Sequence, residues 1–198
     1  MLAPMRHATL DVISQEHQGI SAMLRSMALL VTQAKREKRL PDFEVLRAML
    51  FYVDEFPERL HHPKESALLF PAVLKYCPEL APVIARLDKE HIAGERAIRH
   101  LEHALLAFEM MGEPRREEFE RAVDDYLRFY LDHMAIEENE IIPAAVRHLS
   151  EDDWAPLDAA FSSNADPLAG HEPAPDYKPL FRRILMQAEA PVGYGSPH

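Results

Sequence analysis

Between residues 10 and 38, apolar or imidazole side chains recur at 13, 17, 20, 24, 27, 31 and 34. Alternating steps of four and three gather them on one stripe of an α-helix, the face that a bundle helix buries. Lys35, Arg36, Lys38 and Arg39 close the stretch, where positive charge opposes the negative helix end. That run reads as a solvated terminus rather than a nucleic-acid patch. Pro41 breaks the chain and Asp42 supplies an N-cap for a second helix over about 43–74. Its stripe runs through Leu46, Met49, Val53, Phe56, Leu60, His61, Glu65 and Leu68. Pro57 and Pro63 lie inside it; each removes a backbone donor and crowds the preceding turn, which predicts a bend around His61. Cys77-Pro78 ends this helix. A third, over about 80–110, is the most regular, with its stripe at 84, 87, 91, 94, 98, 101, 105 and 108. Gly112 and Pro114 mark an end and a fresh start. The fourth, about 115–148, carries Phe119, Tyr126, Tyr130, His133, Glu137 and Ile141 on its inner face.

The pattern is that of an all-α protein: an antiparallel up-down-up-down four-helix bundle over 10–148, with a C-terminal extension over 149–198. In the extension, Ser150 and Asp153 form a capping box for a short helix ending near Phe161. The loop DPLAGHEPAP follows, then an amphipathic stretch with Tyr177, Leu180, Phe181, Ile184 and Leu185, then the irregular tail APVGYGSPH. Such an extension can cap the bundle or form a dimer contact, so monomer and homodimer both fit. Met23, Met27 and Met49 read as core filler rather than a thioether copper site.

Composition narrows the partners. With 47% apolar residues, 198 residues can build a proper core, and six glycines without an NG or DG hairpin signal favour helix throughout. A formal charge of −11 argues against nucleic acid and against an anionic membrane surface. No apolar run approaches the roughly 18–20 residues that span a bilayer. The N-terminal MLAPMRHATLDVIS has no apolar signal core, and the lone Cys77 suits a reducing compartment as a small buried residue. The expected location is the cytoplasm.

Chemistry enters through a repeat. HHPKESALLFP (61–71) and HMAIEENEIIP (133–143) both read His-x3-Glu-x5-Pro. Each follows an isolated histidine in similar text, His17 in QEHQGI and His91 in KEHIAG. The turns centre near residues 40, 76 and 112. From the first, His17 lies 23 residues back and His61 lies 21 forward; from the second, His61 and His91 are each 15 away; from the third, His91 and His133 are each 21 away. Equal distance from a short turn means equal height in antiparallel neighbours. All four histidines lie on apolar stripes, and Glu65 and Glu137 sit one turn along on the same faces.

A single histidine on an apolar stripe is most often a satisfied core residue. Four at one height, two with Glu at i+4, form a ligand set. Two neighbouring interior carboxylates repel each other and lose solvation. A pair of divalent cations removes that difficulty: each glutamate bridges both ions and each ion takes two neutral imidazoles, with a bridging water or hydroxide. Nitrogen and oxygen donors without thiolate suit iron, manganese or zinc, with iron favoured for redox or gas chemistry. Two secondary candidates join the set: Glu95, one turn after His91, and His62, which follows His61 but points about 100° away. His7, His100, His103, His148, His171 and His198 read as surface residues.

The order His, His-x3-Glu, His, His-x3-Glu across four helices resembles the hemerythrin-like, or HHE, cation-binding family over about 10–148. His17, His61, Glu65, His91, His133 and Glu137 match its ligand positions. The DPLAGHEP and LFRRI segments are similar to the C-terminal extension of some bacterial members. The resemblance implies a hemerythrin-like bundle holding two iron ions (Fe2+/Fe3+) with carboxylate and oxo or hydroxo bridges. It departs from oxygen-carrying hemerythrins, which have a histidine where this chain has Glu95 and an Asp at i+5 in the last motif, where this chain has Glu138. What it implies is a protein that binds dioxygen, nitric oxide or peroxide, in sensing or in protection from oxidative or nitrosative stress. The second class is an enzyme, a peroxidase, catalase-like protein or nitric oxide reductase, with Tyr126 or Tyr130 relaying protons or electrons. Iron storage or delivery for iron–sulfur repair and a zinc-stabilised structural bundle complete the alternatives.

Overall fold

The computed structural model describes residues 7–164, 166–169, 171, 172 and 175–187. The N-terminal segment 1–6 and the tail APVGYGSPH lie outside the described residues. Among those described, the chain is helical with no strand. Helix α1 spans Ala8–Arg36. The second, α2, is continuous over 43–76, and its cap is the one the sequence predicts: the Asp42 side chain accepts the Val45 N–H at 3.1 Å. Helix α3 is Ala81–Met111, ended by Gly112 at φ 73°, a left-handed conformation in which a side chain is strained. Helix α4 runs over 116–148.

Neighbouring helices are antiparallel. Arg47 near the start of α2 pairs with Glu109 near the end of α3, and Lys35 at the end of α1 meets Glu120 near the start of α4. Every predicted stripe position of α1 and of α3 is buried. Two apolar clusters result. One, containing Met27, Leu46, Met49, Ile98, Phe108 and Phe119, fills the end nearest the first and third turns. The other, containing Ile13, Phe70, Leu87, Ile141, Trp154 and Phe161, fills the opposite end. The histidines lie in the layer between them.

In α2 and α4 the prolines act otherwise than predicted. The N–H groups of His62, Phe70 and Ile142 each donate to the carbonyl five residues back, on Pro57, Glu65 and Glu137. Each of these residues immediately precedes a proline: Pro63, Pro71 or Pro143. A proline has no N–H for the carbonyl four residues back, and its ring crowds that carbonyl. A wide, π-type turn relieves the clash. The expected bend is therefore expressed as three local expansions of the helix. Each adds a residue to the turn and shifts the inward stripe. Leu60 is 38% exposed instead of buried and Leu68 is half-buried, while Glu58, His62 and Leu69 face inward.

The extension folds back on α1 and α2. Helix α5 (Glu151–Phe161) has the predicted capping box, Ser150 and Asp153 bonding each other's backbone. It buries Trp154, Leu157 and Phe161. A 3-10 turn at Pro167–Ala169 crosses α1 at Gly19, where a Cβ would stand 3.1 Å from that of Leu168. Helix α6 (Lys178–Gln187) places Phe181 against Tyr52 and Phe56, with ring centroids 5.7 and 5.8 Å apart. No described helix is long and apolar enough to cross a membrane.

The two-cluster core makes a simple prediction for the metal-free chain. Phe108→Ala, at a site 0% exposed, lowers the unfolding free energy in urea by about 3–5 kcal/mol. Met110→Ala, 76% exposed two residues away, stays within about 0.5 kcal/mol of the parent.

Candidate metal centre

His17 from α1, His61 and Glu65 from α2, His91 from α3, and His133 and Glu137 from α4 meet in the middle layer, all buried. The wide turn ending at His62 brings a fifth imidazole inward, so that two consecutive residues of α2 serve the cluster. The Nε2 atoms of His17 and His61 are 3.3 Å apart, and those of His91 and His133 are 3.1 Å apart. The carboxylates span the two pairs. Glu65 sets one oxygen 3.2 Å from His61 and the other 3.6 Å from His91. Glu137 sets one 3.2 Å from His133 and the other 3.4 Å from His17. The potential ligand atoms fall into two sets sharing Glu65: His17, His61, Glu65 and Glu137, and His62, Glu65, His91 and His133.

Each ring is oriented from behind through Nδ1. His61 meets Glu16 at 2.6 Å, His133 meets Glu90 at 3.0 Å, His17 meets Glu138 at 3.0 Å and His62 meets Glu58 at 3.2 Å. His91 meets the Ser66 hydroxyl at 2.9 Å, which donates to Asp88 at 2.7 Å. Carboxylates only accept, so at His17, His61, His62 and His133 the Nδ1–H donates outward and Nε2 faces the centre. The interior is then a cluster of acceptors. None of the four oxygens of Glu65 and Glu137 has a hydrogen-bond partner, although all are buried.

Only positive charge reconciles that arrangement. Without metal, imidazolium protons would supply it. Burial opposes a charged His61, yet Glu65 and Glu16 hold its imidazolium well above the usual range. Burial likewise opposes His133, but Glu137 and Glu90 raise it to about 9. Glu137 is held well below the usual carboxylate range by the His133 and His91 rings, against the effect of burial. His62 is the contrast: burial, then the neighbouring His91 and His61 rings, push it well down, leaving a neutral imidazole. The imidazolium charge favoured at His61 and at His133, one in each histidine pair, falls where a cation would sit. The donor set fits nitrogen- and oxygen-ligated metal with no thiolate; Cys77 is buried in the far cluster.

A model of the Hemerythrin HHE cation binding domain matches residues 8–145. The chain belongs to the hemerythrin HHE family. No curated protein and no solved structure matches it. Membership implies cation binding, and the His/Glu cluster of this hemerythrin domain is a group that could hold the ion. The matched segment ends before α5 and α6.

Glu95 stands outside this hemerythrin centre, in correction of its candidacy. The inward stripe of α3 steps three residues from His91 to Gly94, which leaves Glu95 on the solvent flank, 58% exposed and 4.0 Å from Arg99. Gly94 takes the inner place because Glu58 packs there, 2.8 Å from where a Cβ would be. His62, a secondary candidate in the sequence, is in the cluster. His100, His103, His148 and His171 are exposed, as read; His7 instead is half-buried, stacked on Trp154 with centroids 4.3 Å apart. His198 lies outside the described residues.

The orienting residues escaped the sequence reading, although one signal was in view. The repeated Glu-His text places Glu16 and Glu90 beside His17 and His91, yet each glutamate serves the next helix, at His61 and His133. Glu58 was hidden by the wide turn. Its carboxylate receives the hydroxyls of Tyr126, at 3.0 Å, and Tyr130, and burial raises its pKa. Burial likewise pushes both tyrosines well up.

Two outcomes follow. Loading two divalent ions at pH 7 releases about two protons, and affinity rises with pH through the loss of the His133 proton near pH 9. Calorimetry in buffers of different ionisation heat reads both. His62→Ala weakens loading at least about tenfold, whereas Glu95→Ala leaves it unchanged.

Proposed function

We propose that this hemerythrin-family chain carries a non-haem di-iron centre, with two iron ions cycling between Fe2+ and Fe3+, and that it binds dioxygen, nitric oxide or peroxide there. The observation that supports this reading is the pair of carboxylates, each with one oxygen toward each histidine pair. A mononuclear site needs no such spanning group, and a zinc staple needs neither two ligand sets nor a fifth imidazole. Iron supplies redox chemistry and affinity for small oxygen and nitrogen ligands. The residues do the rest. His17 and His61 would hold one ion, His62, His91 and His133 the other, and Glu65 and Glu137 would bridge. The apolar clusters pack against the layer from above and below.

One observation favours a second reading, turnover of peroxide. Tyr126, Tyr130 and Glu58 form a hydrogen-bonded chain ending on the Nδ1 of His62. Tyr126 also lines a groove between α3 and α4 with Ala93, Ala97 and Phe129. Protons could pass along that chain between groove and centre, which a carrier does not require. Sensing, stress protection, and iron delivery for iron–sulfur repair remain physiological settings for the same centre, in a cytoplasmic monomer or homodimer.

Metal content with an absorption spectrum in both oxidation states tests the first reading. Two irons per chain and oxo-bridged ferric bands are expected in aerobic protein, and a colourless zinc or manganese protein overturns it. His61→Ala or Glu65→Ala drops bound metal below about one ion per chain. Oxygen release on adding peroxide separates turnover from binding. In that case Tyr126→Phe slows release by about a hundredfold at unchanged metal content.

A further inference from the structure

The duplicated halves differ in what lies behind their orienting glutamates. Glu90, which orients His133, reaches toward solvent and bonds Arg86 at 2.7 Å, a side chain 58% exposed. Glu16, which orients His61, is 3% exposed, and both its oxygens accept from the Asn164 amide, at 2.9 and 3.1 Å. Asn164 is 2% exposed and belongs to the extension, beyond the segment that the family shares.

Its placement is built from several sides. The Asn164 carbonyl accepts from Lys64, the residue just before Glu65. The same ammonium donates to the Ala160 carbonyl at 2.9 Å and the Ser163 hydroxyl at 3.0 Å, so it gathers the end of α5. Phe161 sets its ring edge-on to His61, centroids 6.2 Å apart. Asp166 accepts the Tyr52 hydroxyl at 2.7 Å, and Gly19 admits Leu168 against α1. Apart from Tyr52, the residues reached lie at or within two positions of His17, His61 or Glu65.

We propose that the C-terminal extension is part of the metal centre: Asn164 is a positioning residue that acts through Glu16 on His61 and so selectively secures the ion of the His17/His61 set. The inference rests on the two-ion reading above. A two-pronged amide fixes the Glu16 carboxylate, which fixes the plane and tautomer of His61. It also draws charge from Glu16, which sets how strongly His61 donates to metal. In the other set, Glu58 behind His62 is held by Tyr126 and Tyr130 of the bundle itself, and Glu90 behind His133 is bonded by a solvent-exposed arginine. Among the described residues, the extension therefore supports only the His17/His61 side.

The experiment uses the full chain loaded with ferrous iron or zinc, mixed with a chromogenic chelator, with release followed in time. Asn164→Leu, and Asn164→Asp, which keeps the shape and the Lys64 contact but not the donor, accelerate release of one of the two ions about 10–100-fold. The other ion leaves at the parent rate, and Arg86→Ala leaves both rates unchanged. Parent rates for both ions in the Asn164 variants, or equal acceleration of both, overturn the proposal. Should the variants not fold, hydrogen exchange on the wild type decides. By linkage, loading must slow exchange of the amides over 161–169, and unchanged exchange there overturns the proposal. A wild type that never loads a second ion removes the two-ion reading itself, and this inference with it, a result distinct from normal loading with indifferent Asn164 variants.

Discussion

Two buried glutamates that face only imidazole nitrogens are the constraint on which the architecture turns. Glu65 and Glu137 are buried at 0% and 1% exposure, and each faces imidazole nitrogens whose other side is engaged by an outer acid or hydroxyl. A core of that kind is unfavourable unless positive charge fills it. The apolar clusters above and below supply no donors, so the charge comes from protons or from metal. The positive charge favoured on His61 and His133 in the metal-free fold lies where cations would bind. Folding and loading are therefore two occupancies of one electrostatic requirement.

Duplication explains how the requirement is met with few residues. Glu16 serves His61 across the α1–α2 contact as Glu90 serves His133 across α3–α4. The residue after each core glutamate serves the remaining ring: Ser66 supports His91, and Glu138 supports His17. Every histidine is thus oriented by a helix other than the one beside it in its motif, or by a neighbouring turn, which ties all four helices to the centre.

The bundle, its four stripes and the common height of His17, His61, His91 and His133 were legible because helical period and loop position together determine height and face. The extension's capping box and amphipathic last helix were legible for the same local reasons. Face assignment fails in the turns just before proline. The stripe predicts Leu60 and Leu68 inward and passes over Glu58, because a bend leaves the helical period unchanged whereas the wide turns before Pro63 and Pro71 alter it. Glu95 was misplaced by the converse assumption, that i+4 is always the inward step; on α3 the step at that point is three, to Gly94. Asn164 had no local signature, since its partner Glu16 is distant in sequence and lies on another helix.

The departures from twofold symmetry are where this chain differs from a generic duplicated bundle. Where the first motif has His62, the second has the buried Met134. Where the first has Glu58, three residues before its histidine, the second has Tyr130, and these two bond one another. One wide turn accounts for both on the α2 side, because it rotates positions 58 and 62 inward together. A proline at 63, with no counterpart after His133, is thus enough to convert a symmetric four-imidazole layer into an unequal division of two and three. It also brings an acid and two tyrosines against the larger share, while the extension closes over the smaller. Inequality of that sort is what a centre needs if a small ligand is to meet one side of it rather than both.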